Sequence, residues 1–162
     1  MNHADIVKEA RTWIKTPFHH QGRLKSVGCD CIGMVLGVLH NIGARSKHRD
    51  SEGQQLPFTD FDQRDYARDP NSERLKHTLE YHLDVVEIEE LSPGDILLFR
   101  VIHLPQHVGI VGDHPMGGLS LIHAYSPARK VVEESLSASW LARVIGAYRL
   151  PLQSFGESAW QP

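Results

Sequence analysis

The run Val27-Gly28-Cys29-Asp30-Cys31-Ile32-Gly33-Met34-Val35 decides how the rest of the chain is read. A turn-forming glycine and an acidic residue lead into a thiol, and the thiol opens an apolar stretch that lasts to His40. Asp30 is an N-cap by type, because its carboxylate can accept from backbone N–H groups that the first helical turn leaves unpaired. The spacing predicts a helix over residues 30–40, stopped by Asn41-Ile42-Gly43, with Cys31, Val35, Val38 and Leu39 facing a core. Gly33 and Gly37 each cost about 1 kcal/mol against alanine inside a helix, so they predict close approach of another element. In that first turn, backbone N–H groups and the helix dipole favour a thiolate at Cys31.

Toward the N-terminus, Ile6, Val7, Ala10, Trp13 and Ile14 recur at three- and four-residue spacing, which predicts an amphipathic helix over residues 3–15. Thr16-Pro17 ends it, since proline disfavours a helical residue before it. Residues 18–28 read as a loop. Residues 44–69 are polar with few apolar anchors and read as an irregular insertion that shapes one wall of a cleft. Asp69-Pro70 then starts a short helix to about His82. Beyond Asp84 the pattern turns to strands: 85–89, 95–101, 108–111, 119–125, 130–134 and 144–150. Ser92-Pro93-Gly94, Gly112-Asp113 and Met116-Gly117-Gly118 separate them. Strands in close succession pair antiparallel, so the expected class is α+β, with N-terminal helices packed on a C-terminal antiparallel sheet. Residues 1–150 read as a single domain and residues 151–162 as a C-terminal tail.

With 162 residues, 41% apolar and 23% charged, the composition is that of an ordinary globular domain. A formal charge of −3 argues against a nucleic-acid partner, and no apolar run approaches the roughly 20 residues of a membrane span. The first residues lack the basic-then-apolar form of a secretory signal. The expectation is a protein made in the cytoplasm, which reaches any outside target by another carrier or by lysis. Cys29 and Cys31 are the only cysteines, and one intervening residue rules out both a disulfide scaffold and the usual zinc spacing. Of the eleven histidines, His3, His48, His77, His82 and His114 fall in polar stretches and read as surface residues.

Two other histidines stand at strand positions: His107 before Val108-Gly109-Ile110-Val111, and His123 inside Leu121-Ile122-His123-Ala124-Tyr125. One cysteine at a helix start and two strand histidines are the parts of a thiol hydrolase: nucleophile, base and orienting group. The competing reading makes Cys31 a buried structural thiol and the histidines packed core groups. Cys29 precedes the helix and is the weaker nucleophile, a packing residue or an oxidation partner of Cys31. A metal site on His19, His20, His103 and His107 lacks a His-Glu-x-x-His signature, and no metal or other cofactor is expected. A serine hydrolase lacks its Gly-x-Ser-x-Gly elbow.

Four segments, taken together and in order, resemble the NlpC-type cell-wall peptidases, papain-like enzymes that cut peptidoglycan stem peptides. They are Thr16-Pro17-Phe18-His19-His20-Gln21-Gly22, Asp30-Cys31-Ile32-Gly33-Met34-Val35, Pro93-Gly94-Asp95-Ile96-Leu97-Leu98-Phe99, and the pair His107-Val108-Gly109-Ile110 with Ile122-His123-Ala124. The similarity spans roughly residues 10–150 and is nearest to the branch found among phage and prophage tail proteins. It implies the papain-like NlpC-type fold and a Cys-His-His site: Cys31 attacks, His107 is the base and His123 orients it. It also implies that the Cys31 N–H meets the oxyanion, that the cut bond joins D-γ-glutamate to diaminopimelate, and that tail-tip or hub proteins hold the enzyme. The site of action would then be the cell wall, reached in a virion tail.

One position departs from the family. Where the family carries a tyrosine hydroxyl aimed at the cysteine, this chain has Phe18, and loss of one oxyanion donor can cost about 10²–10³ in rate. His19, His20 or Gln21 could substitute, with Asp30 beside them, or the enzyme is slow, or catalysis is lost. Three rivals therefore stay open beside the tail peptidase: a catalytically silent tail-tip component, an injected antibacterial effector with the same chemistry, and an acyltransferase sharing the fold.

Overall fold

The computed structural model describes residues 2–58, 73–101 and 104–151. Helix α1 (His3–Arg11) begins at Asn2, whose side chain accepts from Ala4 N, while Asp5 answers by accepting from Asn2 N. The helix stops at Arg11 rather than continuing to residue 15. Thr12 Oγ1 donates to Glu9 O at 2.6 Å, and Lys15 adopts a left-handed φ of 75°. Three-residue turns then carry the chain to Thr16, so Trp13 still enters the core although it lies beyond the helix.

Strands β1 (Arg23–Leu24) and β2 (Gly28–Cys29) form a small hairpin leading into helix α2 (Cys31–Asn41). The Asp30 carboxylate caps that helix by accepting from Gly33 N at 2.8 Å. The two helical glycines do what their placement predicts. A β-carbon on Gly33 would collide with the carbonyl oxygen of Gly22, and one on Gly37 with the Trp13 ring. The apolar side of α2 is nearly continuous, with Met34 and Val38 fully buried against α1. Burial of one such side chain stabilises the fold by roughly 1.5–3 kcal/mol.

Residues 44–58 are more regular than their polar composition suggests. They form a hairpin of β3 (Arg45–Arg49) and β4 (Gln55–Pro57), tightened where Asp50 Oδ1 accepts from Glu52 N and Gln54 N. Helix α3 (Glu73–His82) follows; the predicted Asp69-Pro70 start lies outside the described residues, as do residues 59–68 of the insertion and the end of the tail from residue 152.

The sheet has six antiparallel strands in the order β5-β10-β6-β7-β8-β9. They are β5 (Asp84–Val85), β6 (Ile96–Val101), β7 (Leu104–Asp113), β8 (Leu119–Tyr125), β9 (Lys130–Ser135) and β10 (Val144–Arg149). The strand expected over residues 85–89 shrinks to two residues, because a 3₁₀ turn at Ile88–Glu90 takes over. Period-2 alternation splits the sheet cleanly. Ile96, Leu98, Val108, Ile110, Ile122 and Ala124 meet the helices. Leu97, Phe99, Val111, Leu121 and Ala147 form a second cluster with Trp140 of the short helix α4 (Ala138–Leu141). Asp95, fully buried at the start of β6, is held by Arg149 Nε at 2.7 Å and Nη2 at 2.8 Å.

One surface expectation fails. His82 is only 4% exposed, and its Nδ1 shares a 2.8 Å hydrogen bond with the buried Ser46 Oγ. The last turn of α3 folds it inward against the β3 hairpin, a long-range contact that the local polar sequence does not reveal.

Candidate functional site

Cys31 opens α2 beneath the β7 strand, and the two elements meet at the sulfur. The backbone N–H of Val108 hydrogen-bonds Cys31, as do those of Ile32 and of Cys31 itself. His107, one residue before Val108, lines the same cleft as Cys31, together with Phe18, His20, Tyr125 and Trp140. The 16–22 loop, the α2 start, β7, the end of β8 and α4 thus converge on one cleft.

Behind His107 runs a hydrogen-bonded chain. His107 Nε2 lies 2.7 Å from His123 Nδ1, and His123 Nε2 lies 2.8 Å from Glu134 Oε1. An ionised carboxylate only accepts, so His123 carries its hydrogen on Nε2. A neutral His123 then presents Nδ1 as a lone pair, and the hydrogen between the two rings belongs to His107 Nε2. That leaves His107 Nδ1 as a lone pair, able to take a proton. Aromatic packing fixes both rings: His123 stacks on Tyr125 at 5.0 Å, and Trp140 meets His123 edge-on at 5.0 Å and His107 at 5.8 Å.

Burial governs the protonation states. It pushes the Cys31 thiol up to about 12, with the Asp30 charge adding to the rise and the backbone N–H groups opposing it. The sequence position had pointed the other way, toward a lowered thiol pKa; at this site the loss of water outweighs the helix start. Burial also pushes His107 down to about 3, with His123 contributing, and lowers His123 against the opposing pull of Glu134. Burial thus favours the uncharged form of both groups, the thiol of Cys31 and the imidazole of His107.

The remaining predicted residues divide by position. His20 lines the cleft, and Phe18 forms part of the same wall. His19 pairs instead with the β2 backbone, its N–H donating to Cys29 O at 2.9 Å. Gln21 is exposed and contributes a backbone N–H to Asp30 Oδ2 at 2.9 Å. Asp30 reaches the cleft, yet its carboxylate also accepts from Gly33 N and from Arg23 Nη1, so it holds loop and helix together. Cys29 is fully buried in the core and absent from the cleft lining. His103 lies outside the described residues, and among those described no group of three or more histidine, cysteine or acidic side chains is placed to hold a metal.

Three contributors escaped the sequence reading: Glu134, Trp140 and Arg143. Glu134 sits in Val131-Val132-Glu133-Glu134-Ser135, where alternation alone assigns it to a solvated strand face. Trp140 lies in α4 and Arg143 just beyond its C-cap Ala142, in a segment with no motif.

The model of the NlpC/P60 family matches residues 15–149. Among solved structures, the NlpC/p60 domain of the peptidoglycan hydrolase SagA is 25% identical, covers 91% of this chain and 98% of that one, and superposes with a TM-score of 0.54. An NlpC/P60 family protein from Bacillus cereus ATCC 10987 is 20% identical at a TM-score of 0.60, covering 93% of this chain and 41% of its own. An N-acetylmuramoyl-L-alanine amidase from Bacteroides uniformis ATCC 8492 is 13% identical at 0.51, covering 90% and 96%. The last two likenesses speak for the fold alone. The chain spans less than half the length of the Bacillus cereus protein. No curated protein matches the chain.

Proposed function

The chain belongs to the NlpC/P60 family and has its papain-like α+β fold, and on that premise we propose that it is a cysteine hydrolase of bacterial peptidoglycan. The observation that carries the reading is the convergence of Cys31 and His107 on one cleft, with the His107–His123 hydrogen bond of 2.7 Å behind it. The named activity of SagA, a peptidoglycan hydrolase, agrees with it.

In this mechanism the Cys31 sulfur attacks an amide carbonyl of a stem peptide while its proton passes to His107 Nδ1. The proton transfer and the attack are coupled, because burial opposes a standing thiolate. The oxyanion faces the Cys31 backbone N–H. Collapse breaks the C–N bond, and His107 returns the proton to the leaving amine. His107 then deprotonates a water that attacks the thioester, which releases the acid and restores the thiol. His123 holds the His107 ring in the tautomer that both halves require.

The narrower reading places the cut at the D-γ-glutamyl–diaminopimelate amide and the protein in a phage-like tail, made in the cytoplasm and acting at the wall against tail-tip or hub partners. The resemblance of the four motif segments from Thr16-Pro17 to Ile122-His123-Ala124 to the phage and prophage tail branch supports it. One observation favours a second reading: Phe18 brings no hydroxyl to the cleft wall, which suits a tail component that keeps the fold without turnover.

Mass spectrometry of sacculi and defined muropeptides after incubation with wild-type protein and Cys31→Ala decides between them. Stem-peptide fragments made only by the wild type are expected, and they identify the bond. No product across pH and after reduction, with both proteins folded, overturns the hydrolase reading in favour of the silent component.

A further inference from the structure

The α4 turn holds an aromatic ring and a guanidinium side by side at the mouth of the cleft. Ser137 caps the turn by accepting from Trp140 N, Leu141 N donates to Ser137 O at 2.9 Å, and Arg143 N donates to Trp140 O at 2.9 Å. Across this turn the Arg143 guanidinium carbon sits 5.4 Å from the Trp140 ring centroid, within cation–π range. The other contacts of Trp140 point inward, its ring lying 5.8 Å from that of His107. Arg143 therefore stands one aromatic ring away from the proposed base, on the wall of the cleft that contains Cys31.

Three other arginines are held by carboxylates. Arg11 binds Glu133 and Asp113, Arg23 binds Asp30, and Arg149 binds Asp95. Arg143 has no carboxylate partner among the described residues, and neither does Arg100, whose backbone N–H donates to Arg143 O at 2.9 Å. Both arginines line a second depression, and this joins the cleft through the shared residues Val101 and Arg143. In a chain of net charge −3, two unpaired guanidinium groups lie next to the cleft.

We infer that Arg143, braced on Trp140 and flanked by Arg100, is a carboxylate-recognition subsite for a peptide lying in the Cys31 cleft. The ligand class is a stem peptide with a free carboxylate within about three residues of the amide at Cys31. The Trp140 ring lies 5.8 Å from that of His107 and 5.4 Å from the Arg143 guanidinium carbon, so at about 3.3–3.6 Å per residue an extended peptide reaches from His107 to Arg143 within about three residues. The planar fork of arginine pairs with a carboxylate through two parallel N–H donors, and a neutral carboxamide offers only one acceptor and no charge. The subsite rests on the stem-peptide reading above, and it adds a selectivity: stems with free carboxylates bind, and stems amidated at the recognised position do not.

The test is calorimetric binding to the Cys31→Ala protein, which leaves ligand uncut. The ligands are a defined stem peptide with all carboxylates free and its singly amidated forms. At least tenfold weaker binding of one amidated form is expected. Adding Arg143→Gln should erase that difference, while Arg143→Lys should keep part of it. Equal affinity for every form, no binding of any, or a preference that survives Arg143→Gln overturns the subsite. Turnover by the wild-type protein is scored separately. Cutting without discrimination removes only the subsite, and discrimination without cutting removes only the hydrolase. Near-UV circular dichroism of each variant confirms that this exposed residue is dispensable for folding.

Discussion

His123 Nε2 lies 2.8 Å from Glu134 Oε1, so the imidazole behind His107 is itself held by a carboxylate. The Glu134 side chain is 42% exposed and His123 wholly buried, which makes the pair a bridge from solvent to the cleft. Glu134 raises the basicity of His123 against the burial that lowers it. Glu134→Gln keeps an acceptor for the His123 N–H but removes the charge, whereas Glu134→Leu removes both. The expected loss in kcat/KM is about tenfold for Gln and more for Leu, a part of the 10²–10⁴ that general acid–base catalysis as a whole contributes. Because the carboxylate raises the histidine pKa, its removal should also move the acid limb of the pH–rate profile to lower pH. An unmoved limb would assign Glu134 to surface structure.

The two cysteines differ in exposure, 8% for Cys31 and 0% for Cys29. Iodoacetamide on the native protein should alkylate Cys31 alone, at a rate that climbs with pH because burial pushes that thiol up to about 12. Cys29→Ala should leave turnover near wild type and lower stability by roughly 1 kcal/mol through the lost buried sulfur. Cys31→Ala should fold and be inactive. Peptide mapping after labelling settles the assignment, and dominant label on Cys29 would reverse it.

Phe18 is half-buried and shares the cleft wall with Cys31. Phe18→Tyr adds a hydroxyl where the chain has none, and kcat should rise by up to about 10²–10³, the range attributed to one oxyanion donor. An unchanged kcat moves that role to His20 on the same wall, in which case His20→Ala should depress it.

Burial pushes His82 down to about 4, against roughly 6.5 when exposed in the unfolded chain. Between those values the unfolded chain binds more protons, so stability is complete above about pH 6.5 and is lost as pH falls toward 4. His107, pushed down to about 3, acts in the same direction. Urea midpoints measured from pH 7.5 to 4 should therefore decline, and His82→Gln should flatten the decline. An equal slope in both proteins would remove His82 from the account.

The legible part of the molecule is the part with short-range causes. Asp30 caps α2 because an N-cap is satisfied three residues away, and that bond is observed. Gly33 and Gly37 signal tight packing by residue type alone, and a β-carbon at either would collide with its neighbour. The strand from Leu119 to Tyr125 matches its expected bounds because alternation and flanking glycines specify it locally. Where a boundary depends on a contact from elsewhere, the reading slips. The first helix stops early, residues 45–57 pair as a hairpin, and His82 turns inward to meet Ser46 across 36 residues.

Sequence alone determined the α+β class, the capped helix with Cys31 in its first turn, and the strand positions of His107 and His123. Each of these follows from residue type and spacing within a few positions. Tertiary structure alone decided three things: that Glu134 completes the hydrogen-bonded chain, that Trp140 and Arg143 border the cleft, and that the thiol pKa rises instead of falling. Those depend on which distant segments exclude water from one point, and burial is a property of the assembled fold that local sequence does not encode.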